Sequence, residues 1–153
     1  MAKIALFSIR PEYAEAILAG IKKFELRRGA SKTLTPGTIA VIYASGRVKR
    51  IVGHFIIGRI YKGTPAMIWK IVTSDKKYGV TRESKKYIEG STTAMAIEIL
   101  KPTPYKHRIS LSEIRMIIPG WNPPLSYTIL EEGNPLLELV LKRIWAREGI
   151  RIE

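Results

Sequence analysis

The sequence predicts an α+β fold: a mixed β-barrel with helices around it and one further helix at the C-terminal end. Three observations carry that expectation. Strand-like and helix-like segments follow one another with uneven helix lengths, unlike the regular winding of a βαβ protein. Arg50 to Tyr61 is a long run rich in β-branched residues, and the glycines inside it, Gly53 and Gly58, suit bulges or barrel corners. Asn134-Pro135 opens the clearest helical pattern only after the strand-like runs have passed.

The elements are justified in chain order. Residues 3–9 alternate as a strand. Pro11 suits a first helical position, and Glu12 and Glu15 complement the positive end of the helix. Ala14, Ile17 and Leu18 give that helix an apolar face, and Gly20 stops it. A strand over 23–28 leads into a polar, mobile loop from Gly29 to Gly37. Thr38 to Ala44 is an apolar strand, Ser45-Gly46 a turn, and the long glycine-containing strand follows. Thr64-Pro65 caps a helix carrying Ile68, Ile71 and Val72 on one face. Thr81 to Glu89 is a short basic helix closed by Gly90, and Thr93 to Leu100 is a strand. Pro102, Pro104, Pro119, Pro123 and Pro124 predict that residues 101–124 wrap the surface, with one helical turn at Ser110 to Arg115. In the last helix, 134–149, Leu137, Val140, Leu141 and Ile144 form a stripe. Glu138 and Lys142 pair at i, i+4, and Gly149 ends the helix.

Composition narrows the function. A chain of 153 residues predicts a single domain, 1–153, able to bury a core. The longest apolar runs fall far short of the roughly 20 residues of a membrane helix, and the first residues lack the form of a signal peptide; no membrane contact and a cytoplasmic location are expected. With no cysteine and two histidines, disulfides, thiolate metal sites and a histidine-rich metal centre are not expected. No P-loop, dinucleotide-binding glycine pattern or G-x-S-x-G occurs, so no cofactor is implied. Lys and Arg outnumber Asp and Glu 26 to 13, a formal charge of +13. That excess attracts polyanions over a Debye length of about 8 Å, and nucleic acid is the expected partner. A lysine- and isoleucine-rich, cysteine-free composition also suits a hot environment. Heat explains many charges; it does not explain a two-to-one imbalance of sign.

The most informative stretch is Gly20-Ile21-Lys22-Lys23-Phe24-Glu25-Leu26-Arg27. Lys22 stands where helix gives way to strand. Side chains alternate along a strand, so Phe24 and Leu26 share one face and Glu25 and Arg27 the other. An ordinary surface ion pair would explain Glu25 and Arg27 and contribute about 0–1 kcal/mol, so truncating either is expected to cost roughly 1 kcal/mol or less. It gives no reason for a third polar residue at the same place.

The spacing G-x-K-x-x-E-x-R resembles the signature of the ASCH-domain family, a branch of the PUA-like β-barrels associated with RNA and nucleotide-derived ligands. Ser8-Ile9-Arg10-Pro11-Glu12-Tyr13 resembles the family's opening strand and helix start. Ile42 to Ser45, Val48 to Gly53, Ala94 to Ile99 and Pro123 to Tyr127 follow in the family's order. The resemblance covers roughly residues 3 to 130 and implies a PUA-like barrel with the signature in a cleft between first helix and barrel. Arg10, Lys22, Arg27 and Arg28 are then candidate donors to a phosphate or base edge. Tyr43 and Ser45 close a strand that the family brings to the same cleft, where Tyr43 either stacks on a base or belongs to the core. Arg47, Lys49 and Arg50 form a basic hairpin cluster suited to a nucleic-acid backbone or to solvent. Trp121 either covers a base or packs on the barrel end, and His54 is read as structural.

The implied activity divides. The leading reading is an RNA- or nucleotide-binding module, with RNA, another nucleic acid or a nucleotide-like molecule as partner. The alternative is a small hydrolase, because some ASCH relatives are amidohydrolases acting on N-acetylated cytidine and others are ribonucleases. In the amidohydrolases the essential lysine matches Lys22, a threonine matches Glu25, and a glutamate comes from the helical insert, where this chain offers Asp75 or Glu83. A lysine nucleophile must be neutral. An adjacent Glu25 favours the protonated form, which counts against transferring that mechanism; Lys22 and Glu25 are the catalytic candidates only under the enzyme reading.

Overall fold

Extended runs of β-branched and aromatic residues pair into one mixed sheet of six strands, in the order β2-β5-β4-β3-β1-β6. The computed structural model describes residues 3–149; the two ends of the predicted domain, 1–2 and 150–153, lie outside the described residues. The strands are β1 (Ile4–Ile9), β2 (Phe24–Arg28), β3 (Ile39–Ala44), β4 (Arg50–Gly63), β5 (Ala94–Ser110) and β6 (Tyr127–Ile129). β1 and β3 run parallel, and every other neighbouring pair is antiparallel. The helices are α1 (Pro11–Leu18), α2 (Pro65–Val72), α3 (Arg82–Ile88) and α4 (Leu111–Ile117). At the end come α5 (Pro135–Leu139), a π-helical stretch (Val140–Trp145) and α6 (Ala146–Glu148), which together make the predicted C-terminal helix.

The sheet curls because its two longest strands are irregular. The β4–β5 ladder shifts register between Ile51 and Gly53, between His54 and Ile56, and between Ile57 and Ile60, so two of the three shifts fall at the predicted glycines, Gly53 and Gly58. At Gly53 the reason is space: a Cβ there would lie 2.5 Å from the Thr103 carbonyl oxygen and 2.7 Å from a Leu18 methyl. Only glycine lets α1 and β5 come this close to β4.

One expectation is overturned here. Residues 101–110 do not wrap the surface; they extend β5 to Ser110 in spite of Pro102 and Pro104. Proline is tolerated in strands at edges and bulges. Beyond Ile99, β5 has no partner on its β2 side among the described residues, and Pro104 faces Gly53 between two of the register shifts. Ser110 then starts α4 with a reciprocal cap: its hydroxyl accepts from Glu113 N, and the Glu113 carboxylate accepts from Ser110 N. The Gly29–Gly37 loop, expected to be mobile, is anchored by buried Leu34 and by Ser31, which hydrogen-bonds Tyr127 Oη. The three-residue β6 lacks enough length for alternation to announce it.

Both faces of the sheet are covered. Ile4, Leu6, Val41 and Tyr43 meet the C-terminal helix through Val140, Ile144 and Trp145. On the other face, Phe7, Ile42, Phe55 and Ile97 pack with Ile17 of α1. Phe24 and Leu26 lie with Ile68 of α2 and Ile88 of α3 in a third cluster. The predicted stripe of the C-terminal helix holds at Leu137, Val140 and Ile144; the π turn, with its wider i→i+5 bonding, brings Trp145 to the same core. The predicted pair of Glu138 and Lys142 forms at 3.6 Å, and Gly149 ends the helix with φ +72°.

A buried polar chain fixes the C-terminal helix to the ladder. Trp145 Nε1 donates to Tyr105 Oη at 2.6 Å, and Tyr105 Oη is 2.6 Å from His54 Nδ1. Tyr105 Oη thus joins the indole and the imidazole in one buried hydrogen-bonded chain. His54 is therefore structural. Burial pushes its pKa down from 6.5 to about 4. The unfolded chain then binds one more proton between those values, so stability falls as pH drops from about 6.5 to 4, by roughly 3 kcal/mol. Denaturant unfolding across that window should show this loss in the wild type and a smaller loss in His54→Phe.

Candidate functional site

The site begins where α1 ends. Gly20 takes φ +77°, reversing the chain, and the backbone N–H groups of Ile21 and Lys22 donate to the Ala16 carbonyl at 2.9 and 3.0 Å. Lys22 is thereby fixed beside β2. Alternation along β2 sends Phe24 and Leu26 into the α2–α3 core and leaves Glu25 and Arg27 on the opposite face, as expected.

These three residues form one ionic cluster. Lys22 Nζ donates to Glu25 Oε1 at 2.7 Å. Arg27 Nε and Nη2 both donate to Glu25 Oε2, at 3.0 and 2.6 Å. Arg27 Nη2 also reaches the Ser8 carbonyl at 3.0 Å, and Nη1 reaches Ser126 Oγ at 3.2 Å. The Lys22 ammonium lies 4.6 Å from the centre of the Tyr13 ring and the Arg27 guanidinium 5.2 Å from that of Phe7, both cation–π contacts. Lys22, Glu25 and Arg27 are only 4%, 5% and 6% exposed. The expectation of a weak surface pair is thus corrected: this is a buried cluster. Burial pushes the Glu25 carboxyl up, but the adjacent Lys22 and Arg27 outweigh it and hold the group below its ordinary pKa.

Counting donors shows what is free. Glu25 accepts three hydrogen bonds on its two oxygens. Lys22 has three N–H donors and uses one on Glu25; Arg27 has five and uses four. Glu25 acts as the counter-ion that lets two cations sit in the wall of a cleft, and the unused donors belong to those cations. The cleft measures about 610 Å³, within the usual range for a small-molecule site. Tyr13, Tyr87, Pro123, Pro124 and a fully exposed Leu125 give it an apolar and aromatic side, and Arg10, Glu83 and Lys86 add further charge to its lining.

The structure divides the remaining candidates. Arg10 and Ser45 line the cleft with the cluster. Arg28 does not: it points the other way along β2, donates from Nε to the Tyr87 carbonyl at 2.6 Å, and so holds α3. Tyr43 is a correction as well, because alternation along β3 turns it into the core, 1% exposed and edge-on to Trp121 at 5.9 Å. Trp121 packs on the barrel. Arg47 is exposed and stands outside the cleft, while Lys49 and Arg50 line grooves elsewhere. Of the two insert acids, Glu83 reaches the cleft, whereas Asp75 accepts from Lys77 N. Sequence reasoning missed Ser8, Ser126, Tyr13 and Leu125. The proline pair at 123–124 marked a stiff wall without revealing what it faced.

The family model for the ASCH domain matches residues 7–103. This chain belongs to the ASCH domain family. It is 30% identical over 144 residues to a curated Zymomonas mobilis protein named ASCH domain-containing ribonuclease, covering 90% of this chain and 92% of that one. The crystal structure of ASCH from Zymomonas mobilis superposes with a TM-score of 0.76 at 27% identity, over 90% of this chain and 95% of that one. A variant of that protein with one tyrosine replaced by phenylalanine gives 0.78 at 26% identity, over 92% and 98%. A Rhodopseudomonas palustris protein shares the fold alone, with a TM-score of 0.51 at 18% identity over 89% and 90%. The predicted ASCH membership and α+β architecture therefore hold.

The buried cluster changes what substitution should do. Glu25→Gln keeps the shape but leaves two buried cations without a counter-charge, and breaking such a cluster costs about 3–5 kcal/mol. Because the folded-state pKa of Glu25 is depressed, its contribution is complete above the unfolded value of about 4.5 and is lost as pH falls through the lower folded value. Urea unfolding should show a gap between wild type and Glu25→Gln at pH 7 that narrows in acid. An equal gap at both pH values would mean that the charge of Glu25 contributes nothing.

Proposed function

We propose that this ASCH chain binds single-stranded RNA, taking one nucleotide into the cleft. The observation that carries this reading is the pairing of partly unengaged cation donors on Lys22 and Arg27 with an apolar rim of Tyr13, Tyr87 and Leu125. A nucleotide has the matching halves: an anionic phosphate and a flat base that stacks on aromatic and apolar faces. The net charge of +13 supplies long-range attraction. The ribonuclease name of a full-length relative supports RNA over other polyanions.

That name also supports a second reading, in which the bound strand is cleaved. Lys22 and Arg27 suit this as electrostatic groups, because strand cleavage by the 2′-hydroxyl builds extra negative charge on phosphorus and fixed cations stabilise it. Glu25 is poorly placed as the base, with both oxygens engaged by fixed cations. Glu83, exposed at the rim, is the other carboxylate lining the cleft among the described residues. An amide-cleaving lysine fits less well, since the Lys22 amine donates to a carboxylate 2.7 Å away.

Binding of a nucleoside monophosphate and of an RNA about 12 nucleotides long, measured at low salt, tests the proposal. Lys22→Arg keeps the charge and should retain most of the affinity for both, whereas Lys22→Gln should lose about tenfold, one charge-assisted contact being worth roughly 1.5 kcal/mol. No binding at low salt would refute the proposal. Product formation from labelled RNA that persists in Lys22→Arg and disappears in Glu83→Gln would establish the cleavage reading.

A further inference from the structure

We propose that a bound RNA strand continues out of the cleft along two adjoining basic grooves, which hold its flanking phosphates and one further base. The proposal rests on the RNA reading but concerns a different surface. The first groove, about 510 Å³, is lined by Lys49, Arg50 and Arg115 together with Val48, Leu111 and Met116. The second, about 350 Å³, is lined by Arg50, Lys106, His107, Arg108, Arg143 and Arg147. Arg50 lines both, so the grooves adjoin, and the proposed track runs through them.

Charge balance sets this surface apart from a solvated basic face. The carboxylate lining the grooves among the described residues is Glu113, against the lysines and arginines just named. Glu113 is engaged by Arg143 at 2.9 Å and by the α4 cap. Glu148, nearby, has one oxygen occupied by the backbone N–H groups of Lys106 and His107, at 2.6 and 2.9 Å. Arg50, Arg108 and Arg147 are exposed and donate no side-chain hydrogen bond among the described residues. Clustering like charges destabilises a fold unless an anion resides among them.

Two further features point to a strand rather than a lone anion. The first groove has an apolar side, with Met116 83% exposed beside partly buried Val48 and Leu111, so a base has a seat next to cations. Lys49, at its edge, has φ +51°, a left-handed conformation that glycine adopts without strain and that costs another residue about 1 kcal/mol or more. Its carbonyl accepts from Leu111 N at 2.9 Å, which fixes the strained turn. A lysine kept there gives the groove a cation that glycine would not.

Two short segments lead from the first groove to the cleft. The β3–β4 turn begins at Ser45, on the cleft, and ends at Val48, Lys49 and Arg50, on the first groove. Arg115 donates to the Trp121 carbonyl and to Asn122 Oδ1, both at 2.9 Å, immediately before the Pro123–Leu125 wall of the cleft.

The test compares RNA of about 12 nucleotides with a nucleoside monophosphate. In the triple variant Arg50→Gln, Arg108→Gln, Arg147→Gln, the long RNA should bind at least about tenfold more weakly. The slope of log affinity against log salt should become shallower by about 2, for three lost phosphate contacts on a single strand. Monophosphate affinity should stay within about twofold. Lys49→Gly, which relieves the backbone, should melt higher and still bind the long RNA more weakly. If the triple variant and Lys49→Gly both bind long RNA as the wild type does, with the same slope, the track is refuted, even where Lys22→Gln confirms the cleft. If the triple variant loses long RNA while Lys22→Gln alters neither ligand, the track stands and the cleft reading fails.

Discussion

Arg27 closes a sheet that its own ladder leaves open. In the hydrogen-bonded order β2 stands at one end and β1 and β6 at the other, and no backbone pairing joins them among the described residues. From β2 the guanidinium reaches the Ser8 carbonyl of β1 and the Ser126 hydroxyl beside β6. It can do so only because Glu25, two residues earlier on the same face, neutralises it and orients it with two bonds to one oxygen. The loop after β2 adds to the same seam, where Ser31 and Thr33 meet Tyr127. A barrel closed by side chains in place of a ladder keeps a gap along the seam, and that gap is the cleft. The group that completes the fold is therefore also in the wall of the candidate site.

This double role determines the chemistry the cluster can offer. Two cations and one carboxylate leave one net positive charge, most of it shielded from water. Buried charges are screened little by salt, so contacts made there are directional and short in range. The carboxylate is saturated by its neighbours and the cations are fixed in place. Preorganised positive charge of this kind recognises a phosphate or stabilises charge developing on one; it is poorly suited to moving protons. The grooves near the C-terminal helix are the opposite case, with exposed cations, little counter-charge and long reach.

Much of this was legible because local patterns and tertiary demands agree. The alternation of Phe24, Glu25, Leu26 and Arg27 gave the correct faces, since one face had a core to meet and the other a polar seam. Gly53 and Gly58 marked two of the register shifts; at Gly53 the Thr103 backbone and Leu18 leave no room for a side chain, and Gly58 lies against the Glu98 and Leu100 side chains. What failed to show depended on contacts distant in sequence. Pro102 and Pro104 read as strand breakers, and only a ladder with bulges and a free edge accommodates them. Tyr43 sits next in sequence to residues facing the α1 side of the sheet, and only its phase along β3 puts it in the other core. Burial of the Lys22–Glu25–Arg27 cluster was invisible because the covering residues come from α1 and from the segment ending at Ser126.

The same division explains why a bulk charge of +13 said something about partners and nothing about place. Residues 47–50 were legible as a basic cluster, but their companions on the second groove, at 106–108 and 143–147, come from the end of β5 and the C-terminal helix. The unpredicted extension of β5 to Ser110 is what carries Lys106, His107 and Arg108 to the helix. Pairing with β4 then sets Arg50 opposite Ser110, and the Tyr105–Trp145 bond holds the helix against the ladder. A strand long enough to span the sheet thus does for the grooves what Arg27 does for the cleft. In both places a feature that completes the fold also assembles the positive charge, one set buried and paired, the other largely exposed with a single carboxylate among the described residues lining it.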